Sequence, residues 1–192
     1  MKNSRTIHTS ILAAILLAFA FCGTVHAEEI DGRAEYFSSL YLKLCMKNID
    51  SLGALRTQLT NNKLPKFPPE QAAHFLNNKD GDAWPVPYQE QQGNFVLTLP
   101  AGDSFYSVLV RRANQADVER QFIKLVATAP PPLVSEMRTD EHSETPTNGR
   151  THTISYLWSL PQATKKMMFT LTTAYSENAQ LQVVASTTII KD

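Results

Sequence analysis

Cysteine, glycine and tryptophan are all scarce in this chain: 192 residues hold two, seven and two of them, and 18 basic side chains are matched by 18 acidic ones. The scarcity of cysteine and of glycine each removes a class of protein. Two cysteines cannot staple a disulfide-dense scaffold or build a four-cysteine zinc site. The glycines form no phosphate-cradling loop, and G-x-S-x-G, S-x-x-K, H-E-x-x-H and C-x-x-C are all missing. The sequence therefore reads as neither a classical hydrolase nor a redox enzyme, and no cofactor is expected. Without a basic run or a basic excess, nucleic acid and anionic membrane are poor partners. Only one long apolar run is present, Ile11–Phe21, and its 11 residues fall short of the roughly 20 that span a bilayer.

That run has a specific setting. Lys2 and Arg5 precede it without an acidic residue, Gly23 and Thr24 end it, and Val25-His26-Ala27 offers an A-x-A-like cleavage site. This is the order of a secretory signal peptide. Residues 1–27 are expected to be removed, leaving 28–192 as a single periplasmic domain without a transmembrane segment. A retained membrane anchor is the bland alternative. Lipidation at Cys22 is the other, and the bulk of Phe21 before it weighs against a lipoprotein. Cleavage removes Lys2 and Arg5 and no acid, so the remaining net charge is −2. It also leaves Cys45 as the last thiol, read as buried and inert on its helical pattern, with an intermolecular disulfide as the other option.

Apolar spacing divides the remainder into two textures. Phe37, Leu40, Tyr41 and Leu44 recur at helical intervals, so a helix is expected over 32–46. Further helices are expected over 50–61, over 69–78 from the Pro68-Pro69-Glu70 start, and over 115–129. The last carries Val118, Phe122, Leu125, Val126 and Ala129 as one stripe behind an Asn114 cap. Pro130-Pro131-Pro132 stops it. β-branched and aromatic runs predict strands over 94–99, 104–112, 133–139, 151–160, 166–175 and 181–190. Two prolines make residues 81–93 an irregular connection, and 140–150 reads as a polar loop. The order describes an α+β fold: N-terminal helices plus an antiparallel sheet of about five or six strands, with one amphipathic helix packed on it. The expected core comprises Phe37, Leu44, Phe95, Leu97, Phe122, Val126, Ile154, Trp158, Phe169 and Leu171.

Several local patterns form a resemblance: Phe37…Leu44-Cys45, Ala54-Leu55, Leu64-Pro65, Pro69-Glu70-Gln71-Ala72-Ala73 with Phe75-Leu76, Phe95-Val96-Leu97, and Ser107-Val108 followed by Arg111-Arg112-Ala113. Over roughly residues 36–128 the chain resembles a family of small exported proteobacterial proteins and lipoproteins of the neisserial type. Similar members often carry a cysteine just before the counterpart of Ser107-Val108, where this chain has Tyr106. If that cysteine pairs with the counterpart of Cys45, the resemblance implies that the Cys45 helix packs near the 105–110 strand. It implies no reaction.

Three groups of side chains invite a functional reading. Trp84 and Tyr88, with Pro85 and Pro87, form an aromatic patch that serves as a partner anchor if exposed and as a lid over the core if folded back. Asp140, Glu141 and His142 make an acidic, partner-accessible segment. Asp140, His142 and Glu144 share one side of an extended chain, and with His152 they could offer oxygen and nitrogen to a divalent metal in a metal-dependent periplasmic enzyme. A solvated acidic loop is the favoured reading of that string, and no metal site is assigned. His74 reads as an ordinary helix residue. Thr153, Ser155, Thr170, Thr172, Ser186 and Thr188 read as the solvated face of the sheet. The expectation is a non-enzymatic protein-binding module. It would be an inhibitor or immunity-type protein, or an accessory factor of an envelope machine, with a protein of the envelope as partner.

Overall fold

The computed structural model describes residues 31–48, 51–102 and 105–191. The expected signal peptide and Cys22 lie outside the described residues, as do Asp50, Asp103 and Ser104.

Among the described residues seven strands form one antiparallel sheet: β1 (Gly81–Tyr88), β2 (Gln91–Pro100), β3 (Phe105–Val110), β4 (Val134–Thr145), β5 (Gly149–Ser159), β6 (Lys165–Ala174) and β7 (Val183–Lys191). Their spatial order is β1-β2-β3-β7-β6-β5-β4, so β1 and β4 are the edges. Helices α1 (Gly32–Leu40), α2 (Leu52–Asn61) and α3 (Pro69–Phe75) precede the sheet, and α4 (Gln115–Val126) joins β3 to β4. The α+β class and the antiparallel sheet agree with the sequence. The strand count is seven rather than five or six, because residues 81–93 are not an irregular connection. They form β1 and the turn into β2. Pro85 and Pro87 are accommodated because β1 has a neighbour on one side only.

Strand alternation assigns the two faces. Phe95, Leu97, Tyr106, Val108, Val110, Ile154, Trp158, Phe169, Leu171, Val183 and Ala185 are buried beneath α1 and α4. Helix α4 contributes Val118, Phe122 and Val126, as its stripe predicts. It ends at Val126, three residues early, consistent with the aversion of a pre-proline residue for helical geometry. Its terminal carbonyl accepts two hydrogen bonds, from Trp158 Nε1 at 2.6 Å and Ser135 Oγ at 2.8 Å. At the other end Asn114 Oδ1 accepts from the Asp117 N–H at 3.0 Å. The Asp117 carboxylate also takes the Asp31 N–H at 2.9 Å, and Asp31 in turn accepts from Asn114 N at 2.8 Å. The starts of α1 and α4 are thereby tied together.

The helix expected over 32–46 changes form at Tyr41. A π-helical turn, Tyr41–Cys45, follows α1, and a short 3-10 turn, Met46–Asn48, completes the segment. The wider turn shifts the buried stripe by one position. Cys45 is fully buried where Leu44 was expected, and Leu44 is only half-buried. The Tyr106 hydroxyl donates to the Cys45 carbonyl, so this turn does pack on β3. Cys45 is a buried free thiol, and burial pushes it well above its ordinary pKa.

The second face is divided. Across β1, β2 and β3, helix α3 covers Ala83, Val96 and Leu109 with Ala72 and Leu76. Toward β4 the same face carries the hydroxyl residues: Thr153 stands opposite Thr172, Ser155 opposite Thr170, and Thr170 opposite Ser186. Most are half-buried, but Ser155 is buried.

Candidate functional site

The polar segment 140–150 is not a loop. Strand β4 continues to Thr145 past a register shift between Met137 and Thr139, and Gly149, in the left-handed region at φ 67°, opens β5 after a three-residue turn. The register sets His142 beside His152, and His152 beside Thr173 on β6. All three lie on the face that α4 covers, and one helical turn before Phe122 that helix presents Glu119.

His152 is the centre of the cluster. Its Nδ1 lies 3.0 Å from Glu119 Oε1 and its Nε2 lies 2.7 Å from Asp140 Oδ1. Thr173 Oγ1 donates to the same Glu119 oxygen, and Gln115 Nε2 reaches it at 2.9 Å. The His142 ring stacks on His152 with centroids 4.3 Å apart, and Tyr175 OH stands 3.4 Å from His142 Nδ1. Arg150 sits over the Tyr175 ring at 4.8 Å.

This geometry fixes the protonation chemistry. A neutral imidazole has one N–H, so it can donate to only one carboxylate and must turn a lone pair toward the other. The imidazolium donates to both. Burial alone would lower the His152 pKa, but hydrogen bonds and charge from Asp140 and Glu119 outweigh it, and the value is raised above 6.5. With a carboxylate at each ring nitrogen, the geometry favours the imidazolium of His152, the form in which both nitrogens donate. His152 is a clamp that fastens the β4 edge to α4 through Asp140 and Glu119.

The residues expected to act divide accordingly. Of the two alternatives for Trp84, its burial fits the one folded back on the core. It is 2% exposed, on the α1–α4 side of β1, and belongs to the core cluster. The alternation of β1 turns its indole inward. Tyr88 is half-buried against Tyr36 and Phe95, with centroids 5.1 and 5.6 Å away. It walls a polar cleft of about 430 Å³ with Asp31, Arg33, Asn94 and Arg112. Much of that polarity is committed to backbone: Asn94 Oδ1 accepts from Arg112 N at 2.9 Å, and Arg112 donates to the Ala179 carbonyl at 2.7 Å. Asp140, Glu141 and His142 are exposed on β4. Glu141 stands opposite Thr153, on the other face from the histidines.

Asp140, His142, Glu144 and His152 do not assemble into a metal centre. Asp140 and Glu119 occupy the ring nitrogens of His152, and Glu144 stands beyond His142, opposite Arg150. Among the described residues no group of three or more His, Cys, Asp or Glu side chains is arranged to hold a metal ion. Sequence reasoning alone does not single out Glu119 and Thr173. The signal for Glu119 is a carboxylate beside Val118 on the flank of the apolar stripe, where the helix meets the sheet. Comparison of the chain with protein-family models, with curated proteins and with solved structures gives no match in any of the three.

Proposed function

We propose that this chain is an exported, non-enzymatic protein-binding module of a bacterial envelope, and that it takes a basic, extended segment of its partner along β4. The observation that carries this reading is the edge itself. β4 has 12 residues, borders no strand on its outer side among the described residues, and is exposed at nine positions. It carries Glu136, Asp140, Glu141 and Glu144 against one cation, Arg138, which is paired with Glu136 at 2.7 Å. Val134 and Met137 add exposed apolar surface on the same strand.

Charge on an edge strand is also the usual protection against edge-to-edge pairing. The two roles agree here. An acidic edge repels a second copy of itself and attracts a basic strand, which would gain main-chain hydrogen bonds by extending the sheet. The clamp at His152 supports the reading because it holds the edge on α4. An inhibitor or immunity-type protein would form a tight one-to-one complex there. An accessory factor of an envelope machine would make weaker, multivalent contacts.

Capture from periplasmic extract tests the proposal. The protein should retain a protein partner, and the Glu141→Lys, Glu144→Lys double variant should lose it, as should the native protein at high salt. Intact mass of the exported form should begin at Glu28. Absence of any partner, or capture that survives the charge reversal, would overturn the edge-strand reading. A retained residue 1–27 or a lipid on Cys22 would overturn the processing.

A further inference from the structure

On the second face, remote from the β4 edge, a cavity of about 400 Å³ opens beside α3. Its floor is apolar: Phe67 and Phe75 stack with centroids 5.1 Å apart, and Val96 and Leu181 complete it. Its rim carries His74 and Arg111 and no acidic residue. The volume lies within the range of about 300–1,000 Å³ typical of small-molecule sites.

Arg111 is the telling residue. Its backbone is fixed, the N–H donating to the Asn94 carbonyl at 2.9 Å. Its guanidinium, by contrast, has no hydrogen bond or ion pair among the described residues. Arg56 and Lys66 are engaged with Asp82, Arg120 with Asp117, and Arg112 with two backbone carbonyls, whereas Arg111 is an uncommitted cation that lines an apolar hollow. Helix α3 and Arg111, distant in the sequence, thus meet around a hollow with an oily floor and an uncommitted guanidinium. A planar guanidinium matches a carboxylate with two parallel hydrogen bonds.

We propose that this cavity binds a small carboxylic acid with an apolar body, its carboxylate on Arg111 and its apolar part against the Phe67–Phe75 pair. The exposed His74 adds a second donor at the rim. The same chemistry is offered by a free aryl- or alkyl-carboxylic acid and by the C-terminal residue of a peptide ending in an apolar side chain. The site lies away from β4, so it is independent of the protein-binding reading.

Titration of the 15N-labelled protein with 4-phenylbutyrate, with its primary amide, and with a short peptide ending in phenylalanine tests this. The acid should bind saturably, with amide shifts centred on residues 67–75, 93–96, 111 and 180–181. The amide should bind about tenfold or more weakly, and Arg111→Gln should weaken the acid by the same factor, since a hydrogen bond to a charged group is worth about that ratio. Arg111 is exposed, so its substitution should leave the melting temperature unchanged, and His74→Gln gives a second, milder loss. Tighter binding of the peptide assigns the site to a chain terminus, and tighter binding of the free acid assigns it to a metabolite. No saturable binding of either carboxylate, equal binding of acid and amide, unchanged affinity in Arg111→Gln, or shifts confined to another region would each overturn the proposal.

Discussion

His152 carries its own titration through the fold. The groups that face it are Glu119 on α4, Asp140 and His142 on β4, and Thr173 on β6, with Arg150 held off over Tyr175. Its folded-state pKa is raised above the 6.5 of the free ring. The unfolded chain therefore releases the proton first as the pH rises. The stabilisation from the clamp is fully present below 6.5 and is lost as the pH climbs through the folded value. Urea midpoints should fall over that upward window, and His152→Gln should flatten this part of the curve. By NMR, Asp140→Asn and Glu119→Gln should each bring the His152 pKa down, because each removes one of the acceptors that favours the imidazolium. A His152 that titrates below 6.5 in the native protein would contradict the two-carboxylate clamp.

Elements are legible in the sequence where one face is buried and obscure where none is. The α4 stripe, the β2–β3 hairpin and the alternation of β5 follow from apolar period alone, and Phe122, Val126, Ile154 and Trp158 are core residues as expected. β1 escapes the sequence for two reasons. Its prolines argue against a central strand, and it is an edge. Its turn is Gln89-Glu90, with both residues at positive φ, 48° and 64°, where glycine or asparagine would have been the sequence signal. The far half of β4 escapes because an edge strand with both faces wet shows no alternation. The carboxylate clamp is half legible: Asp140 and His152 stand out in the sequence, but Glu119 comes from an element 33 residues away.

The end of α4 gives a test at this scale. The Val126 carbonyl holds two donors, Trp158 and Ser135, so removing one leaves it satisfied by the other. Ser135→Ala should cost about 1 kcal/mol. Trp158→Phe should cost somewhat more, about 1–3 kcal/mol, since the site is buried and the indole also packs edge-on against Phe169. The double variant should exceed the sum, because only then is the terminal carbonyl left without a partner. Simple additivity in urea denaturation would show that the two donors do not share the cap.

At the scale of the whole molecule the question is whether the two halves of the sheet melt together. Strands β1, β2 and β3 are joined to β7, β6, β5 and β4 by a single ladder, β3 to β7, with register from Phe105–Thr188 to Val110–Val183. One ladder would be a weak hinge if each half had its own core. The packing argues otherwise. Tyr41 lies over the junction, where its hydroxyl donates to the Ser186 carbonyl at 2.8 Å and accepts from Thr187 at 2.7 Å, and its ring meets Phe122 of α4 with centroids 5.8 Å apart. The same buried cluster reaches from Trp84 on β1 to Trp158 on β5. The two tryptophans therefore report opposite ends of one core. Variants that keep one indole each, Trp84→Phe and Trp158→Phe, should show fluorescence transitions that coincide with the loss of backbone circular dichroism measured on the same variant, in a single step. An indole transition that separates from the backbone signal in either variant would mean that the β3–β7 junction divides the protein into two folding units.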